Sequence, residues 1–285
     1  MADSANNINP SIGGGTHTVP GRPPTEQARL MMRHINKSFG AVRALTDVDF
    51  EVYDGEVVGL VGDNGAGKST LIKTIAGVGP ADDGEVFVAG QPVKITSPQV
   101  ATRFGIETVY QDLALCDNLD VVSNLFLGRE QHSPFGTLSE VEMERQGLNV
   151  LRTLDVKIPS IRATVAALSG GQRQSIAVAK TILRNAKLIL LDEPTAALGV
   201  AQTKQVLNLI LRLREQGLAV VVISHNLADV FEVVDRVVVM RLGRRVATFD
   251  VKSTTPEKVV AAITGAEFGE LMQTNTTTDS TEGGK

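Results

Sequence analysis

The chain has 285 residues, 42% of them hydrophobic and 21% charged, with a formal net charge of −4 and a pI near 5.7. That length can bury a large core, and the acidic balance argues against broad, sequence-independent binding to nucleic acid, which needs a basic surface. One cysteine, Cys116, permits no intrachain disulfide, and no apolar run approaches the ~20 residues of a membrane-spanning helix. The first ten residues lack the basic start and apolar core of a secretory signal. The expectation is a soluble, cytosolic protein whose membrane role, if it has one, comes through a partner.

Residues 1–26 are mostly Asn, Ser, Gly, Thr and Pro and read as a disordered extension, as do residues 269–285 at the other end. Residues 27–268 read as one domain. Strand patterns fill Leu30 to Val52, with a turn at residues 38–41. Next comes the buried strand Val57–Val61, a glycine-rich loop, and a helix starting at Lys68 or Ser69 with Leu71, Ile72, Ile75 and Ala76 at helical spacing.

That loop is Gly62-Asp63-Asn64-Gly65-Ala66-Gly67-Lys68-Ser69, a match to G-x-x-x-x-G-K-[ST]. Glycines let backbone N–H groups curl round a phosphate without Cβ clashes, and the following helix points its positive end at the same anion. Lys68 can reach the β and γ oxygens, and the Ser69 hydroxyl can hold Mg²⁺. With Thr70 beside them, these residues form the predicted nucleoside-triphosphate cradle.

Further along, residues 80–84 mark a turn before a strand at 85–88. Ser97-Pro98 opens a short helix that Gly105 ends, and residues 106–110 suit a strand. From about 112 to 167 the strand–helix rhythm stops. Helices are expected at 119–127 and 139–154, the second opened by the capping box Ser139-x-x-Glu142. The rhythm resumes with strand 188–191, helix 201–215 ended by Gly217, strand 219–224, helix 227–234, strand 236–240, a turn at Leu242-Gly243, strand 246–249, and a helix capped by Thr255-Pro256. Strands alternating with helices indicate a mainly parallel sheet covered on both faces.

Two more motifs carry chemistry. The apolar strand Leu188–Leu191 runs into Asp192-Glu193-Pro194, which places carboxylates at the carboxyl edge of a parallel sheet, where ligands bind. Asp192 can orient the Mg²⁺ shell, and Glu193 can polarise water for attack on the γ-phosphate. Leu168-Ser169-Gly170-Gly171-Gln172 opens a helix and is dressed for an anion. One nucleotide does not need two cradles; two chains facing each other would, each completing the other's site.

Together these motifs resemble the ATP-binding cassette (ABC) family, whose signature is LSGGQ about twenty residues before LLDEP. The resemblance spans about residues 30–265. It implies an α/β P-loop NTPase fold: a mainly parallel core sheet, an antiparallel β subdomain and an inserted helical lobe at about 112–167. It implies that Phe39 stacks on adenine, that Gln111 touches Mg²⁺ and leads into the helical lobe, and that His225 contacts the γ-phosphate. His17, His34 and His132 fit no motif. In this family the loop after DEP commonly ends in Asp, whereas here Gly199 follows Leu198. A guanine-reading motif at Asn36-Lys37-Ser38-Phe39 fails, because its Asp is missing and it precedes the phosphate loop.

Finer similarity, through GDNGAGKSTLIKTIAG, residues 106–130, DEPTAALGV and residues 224–245, is to ATPases of ribose, xylose and fructose importers. Branched-chain amino-acid importers resemble it less through residues 111–130. Sustained heptads, which would suit a non-transport cassette working on DNA or the ribosome, are absent. The implied cofactors are ATP and Mg²⁺. The implied partners are a second cassette chain, as a homodimer, an integral membrane permease and, through it, an extracytoplasmic sugar-binding protein, with no nucleic acid. The implied location is the cytoplasmic face of the membrane, held there as a peripheral subunit.

Overall fold

Central strands of this chain sort their apolar side chains into two cores by simple alternation. In β3 (Val57–Val61), Val57 and Val61 enter one core, while Val58 and Leu60 enter the other. The strands at Leu188–Asp192, Ala219–Ile223 and Arg236–Arg241 do likewise: Ile189, Val220 and Val237 face one side, and Leu190, Val221 and Val238 the other. Successive strand side chains point to opposite faces, so a strand covered on both needs an unbroken apolar run. Each fully buried Val, Leu or Ile contributes roughly 1.5–3 kcal/mol. This stiffens the sheet that carries the loops.

The computed structural model describes residues 27–134 and 136–266, so the extensions expected at 1–26 and 269–285, and His17, lie outside the described residues. Among the described residues, strands β1 (Leu30–Phe39), β2 (Val42–Val52), β4 (Asp83–Val88) and β5 (Gln91–Pro92) form an antiparallel sheet ordered β2-β1-β4-β5. Strands β3, β6 (Ile106–Val109), β7 (Leu188–Asp192), β8 (Ala219–Ile223), β9 (Arg236–Arg241) and β10 (Arg244–Asp250) form the second sheet, ordered β10-β9-β3-β8-β7-β6. Its strands are parallel except β10, which pairs antiparallel with β9.

Helix α1 (Lys68–Ile75) and the antiparallel sheet cover one face of this second sheet, through Leu71, Ile75, Met32 and Phe50. Short helix α2 (Pro98–Arg103) adds Ala101 to the same core. Helices α3 (Val121–Phe126), α4 (Glu140–Thr153), α5 (Gly170–Leu183), α6 (Val200–Glu215), α7 (Leu227–Val233) and α8 (Pro256–Thr264) supply the opposite core. The chain is thus an α/β fold in which α3 and α4 form the expected helical insertion between β6 and α5.

Most boundaries fall within two residues of expectation, and the small differences at helix ends and caps have local causes. The helix expected at 119–127 is shorter, because Asp120 caps it by accepting from the Ser123 N–H at 2.7 Å. The capping box expected at Ser139 does not form. Ser139 has φ −92° and ψ 63° and makes no side-chain cap bond, and Glu142 accepts instead from Arg145 Nε at 2.8 Å and Gln146 Nε2 at 2.7 Å. The Arg145 guanidinium holds the Glu142 carboxyl down at about 2. A capping box forms at α5: Ser169 Oγ accepts from Gln172 N at 3.3 Å and Gln172 Oε1 from Ser169 N at 3.0 Å. Thr255 precedes Pro256 as expected, yet its side chain caps nothing; it hydrogen-bonds Glu257.

The insertion is braced by Asn124, which is fully buried. Its Oδ1 accepts from Cys116 N at 2.7 Å, and its Nδ2 donates to the carbonyls of Cys116 and Asp120 at 3.0 Å each. One amide therefore holds the loop that follows Gln111. A second brace joins lobe to core: Arg212 of α6 donates to Asp155 at 2.6 Å, just past the end of α4.

Candidate functional site at the carboxyl edge of the sheet

Parallel strands end on the same side, and this edge collects the residues with chemistry. β3 runs into Gly62 and the phosphate loop, β8 into Ser224 and His225, and β7 into Asp192 and Glu193. In the order β3-β8-β7-β6, neighbours stand about 4.8 Å apart, so the loop and the carboxylates are roughly 10 Å from each other. β6 ends at Val109, one residue short of the expected strand, so Gln111 lies two residues beyond it, and it is exposed.

Gly62 is at φ +149°, and a Cβ there would come within 2.2 Å of the Met240 carbonyl oxygen. Gly67 sits at φ +100° directly before α1, whose first turn has no side-chain cap. The amides of that turn face the loop. A cavity of about 470 Å³ opens over it, lined by residues 42–44, 64–70 and 242–243. A second cavity of about 380 Å³ lies between Gly62–Asn64, Ser224-His225 and α8, and the two share Asn64.

Lys68 Nζ donates to the carbonyls of Gly62 at 2.6 Å and Asp63 at 2.9 Å, both of its own loop. Burial pushes its pKa down, against the pull of Glu193, Asp63 and Asp192. The ammonium is thus half-buried and held by two carbonyls of its own loop. Glu193 is at φ +50°, and its Oε2 lies 2.8 Å from His225 Nδ1. The Glu193 side chain is 18% exposed and that of His225 77%, so the pair reaches from the sheet edge into solvent. Thr195 Oγ1 donates to Asp229 Oδ2 at 2.7 Å, tying the loop after Pro194 to α7.

Burial, and next the Glu193 charge, push the Asp192 carboxyl above its ordinary range, while Lys73 and Lys68 pull it back. A raised carboxyl pKa means that ionised Asp192 destabilises the nucleotide-free fold at neutral pH, and that this cost fades as pH falls through the raised value. Asp192→Asn is therefore expected to raise the melting temperature at pH 7. The gap should vanish below about pH 4, where Asp is protonated in the unfolded chain too. Thermal denaturation of both proteins from pH 4 to 8 checks this; a pH-independent gap contradicts it.

Whether these residues suit Mg²⁺ can be judged from the donors. Among the described residues the Asp192 carboxylate feels Lys73 and Lys68 only through space, and no group of three or more His, Cys, Asp or Glu could cage a metal. Ser69, Gln111 and Asp192 offer hard oxygens, too few for a full shell. That fits an ion held mostly by phosphate oxygens and water, the usual habit of Mg²⁺.

Ser169–Gln172 stand apart from this centre; none of them lines either cavity over the loop. Gly170 and Gly171 also serve packing. A Cβ on Gly170 would meet Leu198 at 2.7 Å, and one on Gly171 the Gln205 side chain at 3.1 Å. Gly199 takes the N-cap position of α6 without a side-chain bond, next to Val200, which is 90% exposed.

Phe39 is 55% exposed, with the Lys37 ammonium 5.5 Å over its ring. It does not line the larger cavity, but it pairs in register with Val42, which does. Sequence reasoning missed Val42, Arg43, Ala44, Leu242 and Gly243 as cavity residues. Leu242-Gly243 was legible as a turn only. His34 belongs to β1, at a register shift, where it pairs with Asp47 at 2.7 Å; His132 lies in the loop before α4.

A loop of this form, opposed by two carboxylates at the strand edge, has clear relatives. The ABC transporter family model matches residues 45–196. The chain is 45% identical over 245 residues to the fructose import ATP-binding protein FrcA of Rhizobium meliloti, across 84% of this chain and 94% of that one. The chain belongs to the ABC transporter ATPases. The cassette is also 43% identical over 242 residues to the xylose/arabinose import ATP-binding protein XylG of Sulfolobus acidocaldarius, across 85% and 96% of the two chains. Its fold matches a solved structure of the ADP conformation of MJ1267, an ATP-binding cassette of an ABC transporter. That match has a TM-score of 0.72 at 26% identity and covers 87% of this cassette and 99% of the other. Among the described residues no helix is long and apolar enough to cross a membrane.

Proposed function

We propose that this cassette is the ATP-binding and ATP-hydrolysing subunit of an importer that carries a monosaccharide, a pentose or a hexose. The observation that supports the reading is the division of the site: the phosphate loop, Asp192, Glu193 and His225 gather at the carboxyl edge of the sheet, while Ser169–Gln172 line neither cavity beside that loop. The sugar class is supported by relatives named for fructose and xylose/arabinose import, matched over nearly their full lengths.

In this reading Gly62–Thr70 hold the phosphates, Phe39 stacks on the adenine, and Ser69, Gln111 and Asp192 complete an Mg²⁺ shell. Bound there, Mg²⁺ would neutralise charge on the β and γ oxygens. Glu193 takes the proton of the attacking water, and His225, already within hydrogen-bond distance of Glu193, faces the γ-phosphate. Ser169, Gly170, Gly171 and Gln172 of a second copy close over the same nucleotide, so two chains sandwich two ATP molecules. Closure draws the helical lobes together, and the surface at residues 111–130 passes the motion to a permease in the membrane. The cassette then works at the cytoplasmic face, and an extracytoplasmic binding protein delivers the sugar to the permease.

The test is to pull tagged cassette from gently solubilised native membranes and identify what accompanies it. Recovery of a multi-span permease and a binding protein that takes up pentoses or hexoses is the expected result. Ribosomes or DNA-repair factors without a permease would overturn the importer reading. A binding protein selective for amino acids would overturn the sugar.

A further inference from the structure

Leu242 breaks two local rules at once. It occupies the two-residue turn between β9 and β10 at φ +49°, a left-handed conformation that suits Asn, Asp or Gly and strains a branched side chain. It is also 77% exposed, although leucine gains most from burial. Neither the turn nor solubility accounts for a leucine here.

This turn is not a free hairpin tip. Gly243 N donates to the Ala66 carbonyl in the phosphate loop at 3.0 Å, and Thr46 N of β2 donates to the Gly243 carbonyl at 2.8 Å. A Cβ on Gly67 would stand 3.3 Å from Gly243 Cα. The turn is therefore bolted between β2 and the phosphate loop, and Leu242 lines the 470 Å³ cavity. One more exposed apolar side chain on the lining comes from the antiparallel sheet, Val42, 66% exposed; Phe39, 55% exposed, does not line the cavity but pairs in register with Val42 at its edge.

The cavity thus has a polar floor, made by Lys68, Ser69 and the loop amides, and an apolar rim contributed by two different sheets. A nucleotide has the same asymmetry, with charged phosphates at one end and a flat apolar base at the other. We propose that Leu242 contacts the base-and-ribose end of the bound nucleotide, completing with Val42 and Phe39 an apolar rim whose third member comes from the β9–β10 turn. The inference rests on the nucleotide reading of the loop.

Leu242→Asn separates the contact from the fold, because Asn suits the left-handed turn. Its melting temperature is expected to equal or exceed the parent's. By calorimetric titration, ATP should bind about five- to tenfold more weakly, as expected for one lost apolar contact, while inorganic tripolyphosphate, which lacks base and ribose, binds as it does to the parent. Unchanged ATP affinity would overturn the proposal. So would a parallel loss for both ligands, which would place the effect in the phosphate loop. A parent that binds neither ligand would instead sink the nucleotide reading, and this contact with it.

Discussion

Glu193→Gln is expected to bind ATP like the parent while kcat falls about 10²–10⁴-fold, the usual worth of a positioned general base. Glutamine keeps the shape of the side chain, so β7, the left-handed backbone at Glu193 and the contact with His225 can persist. What it loses is the ability to take a proton from water. With hydrolysis blocked, the closed pair of cassettes should accumulate, and light scattering with ATP present should report a dimer that the parent forms only transiently. Turnover at the parent rate would remove Glu193 from the base role. Slow turnover without a trapped dimer would instead challenge the sandwich of two chains.

Lys68→Ala is expected to weaken ATP binding by about ten- to 150-fold. One hydrogen bond from a charged donor is worth roughly 1.5–3 kcal/mol, and 1.4 kcal/mol is tenfold in affinity. Here the ammonium is half-buried and held by the Gly62 and Asp63 carbonyls, so it is oriented before the phosphates arrive. The variant should lose most of the melting-temperature shift that ATP confers on the parent. An unchanged ATP affinity in calorimetry would contradict the cradle.

These two residues show why part of the site was readable in advance. Lys68 sits at a fixed distance from Gly62 within one loop, and Glu193 directly follows an apolar strand, so local spacing announces both. The same holds for the start of α1, for Gly217 and for the LSGGQ turn. Ser139 shows where local reading fails. Its Ser-x-x-Glu pattern is a capping box only if Glu142 is free to turn back, and Arg145 and Gln146 one turn on hold it more strongly. The same pattern succeeds at Ser169 and Gln172, where the Gln172 amide oxygen does turn back to the Ser169 N–H.

By itself the sequence determined the alternation of strands and helices, the phosphate loop, the carboxylates after β7, and membership of the ATP-binding cassette family. All of these are written in short-range order: periodicity, turn chemistry and motif spacing. Tertiary structure decided the strand order that sets β8 between β3 and β7, and with it the meeting of His225 and Glu193. It decided that Asn124 holds the loop after Gln111, and that the β9–β10 turn is fastened to the phosphate loop with Leu242 at the cavity rim. Those pairings join segments far apart in the chain. They are selected by which apolar faces and backbone groups can be satisfied together once both cores are buried, and no single stretch of residues carries that information.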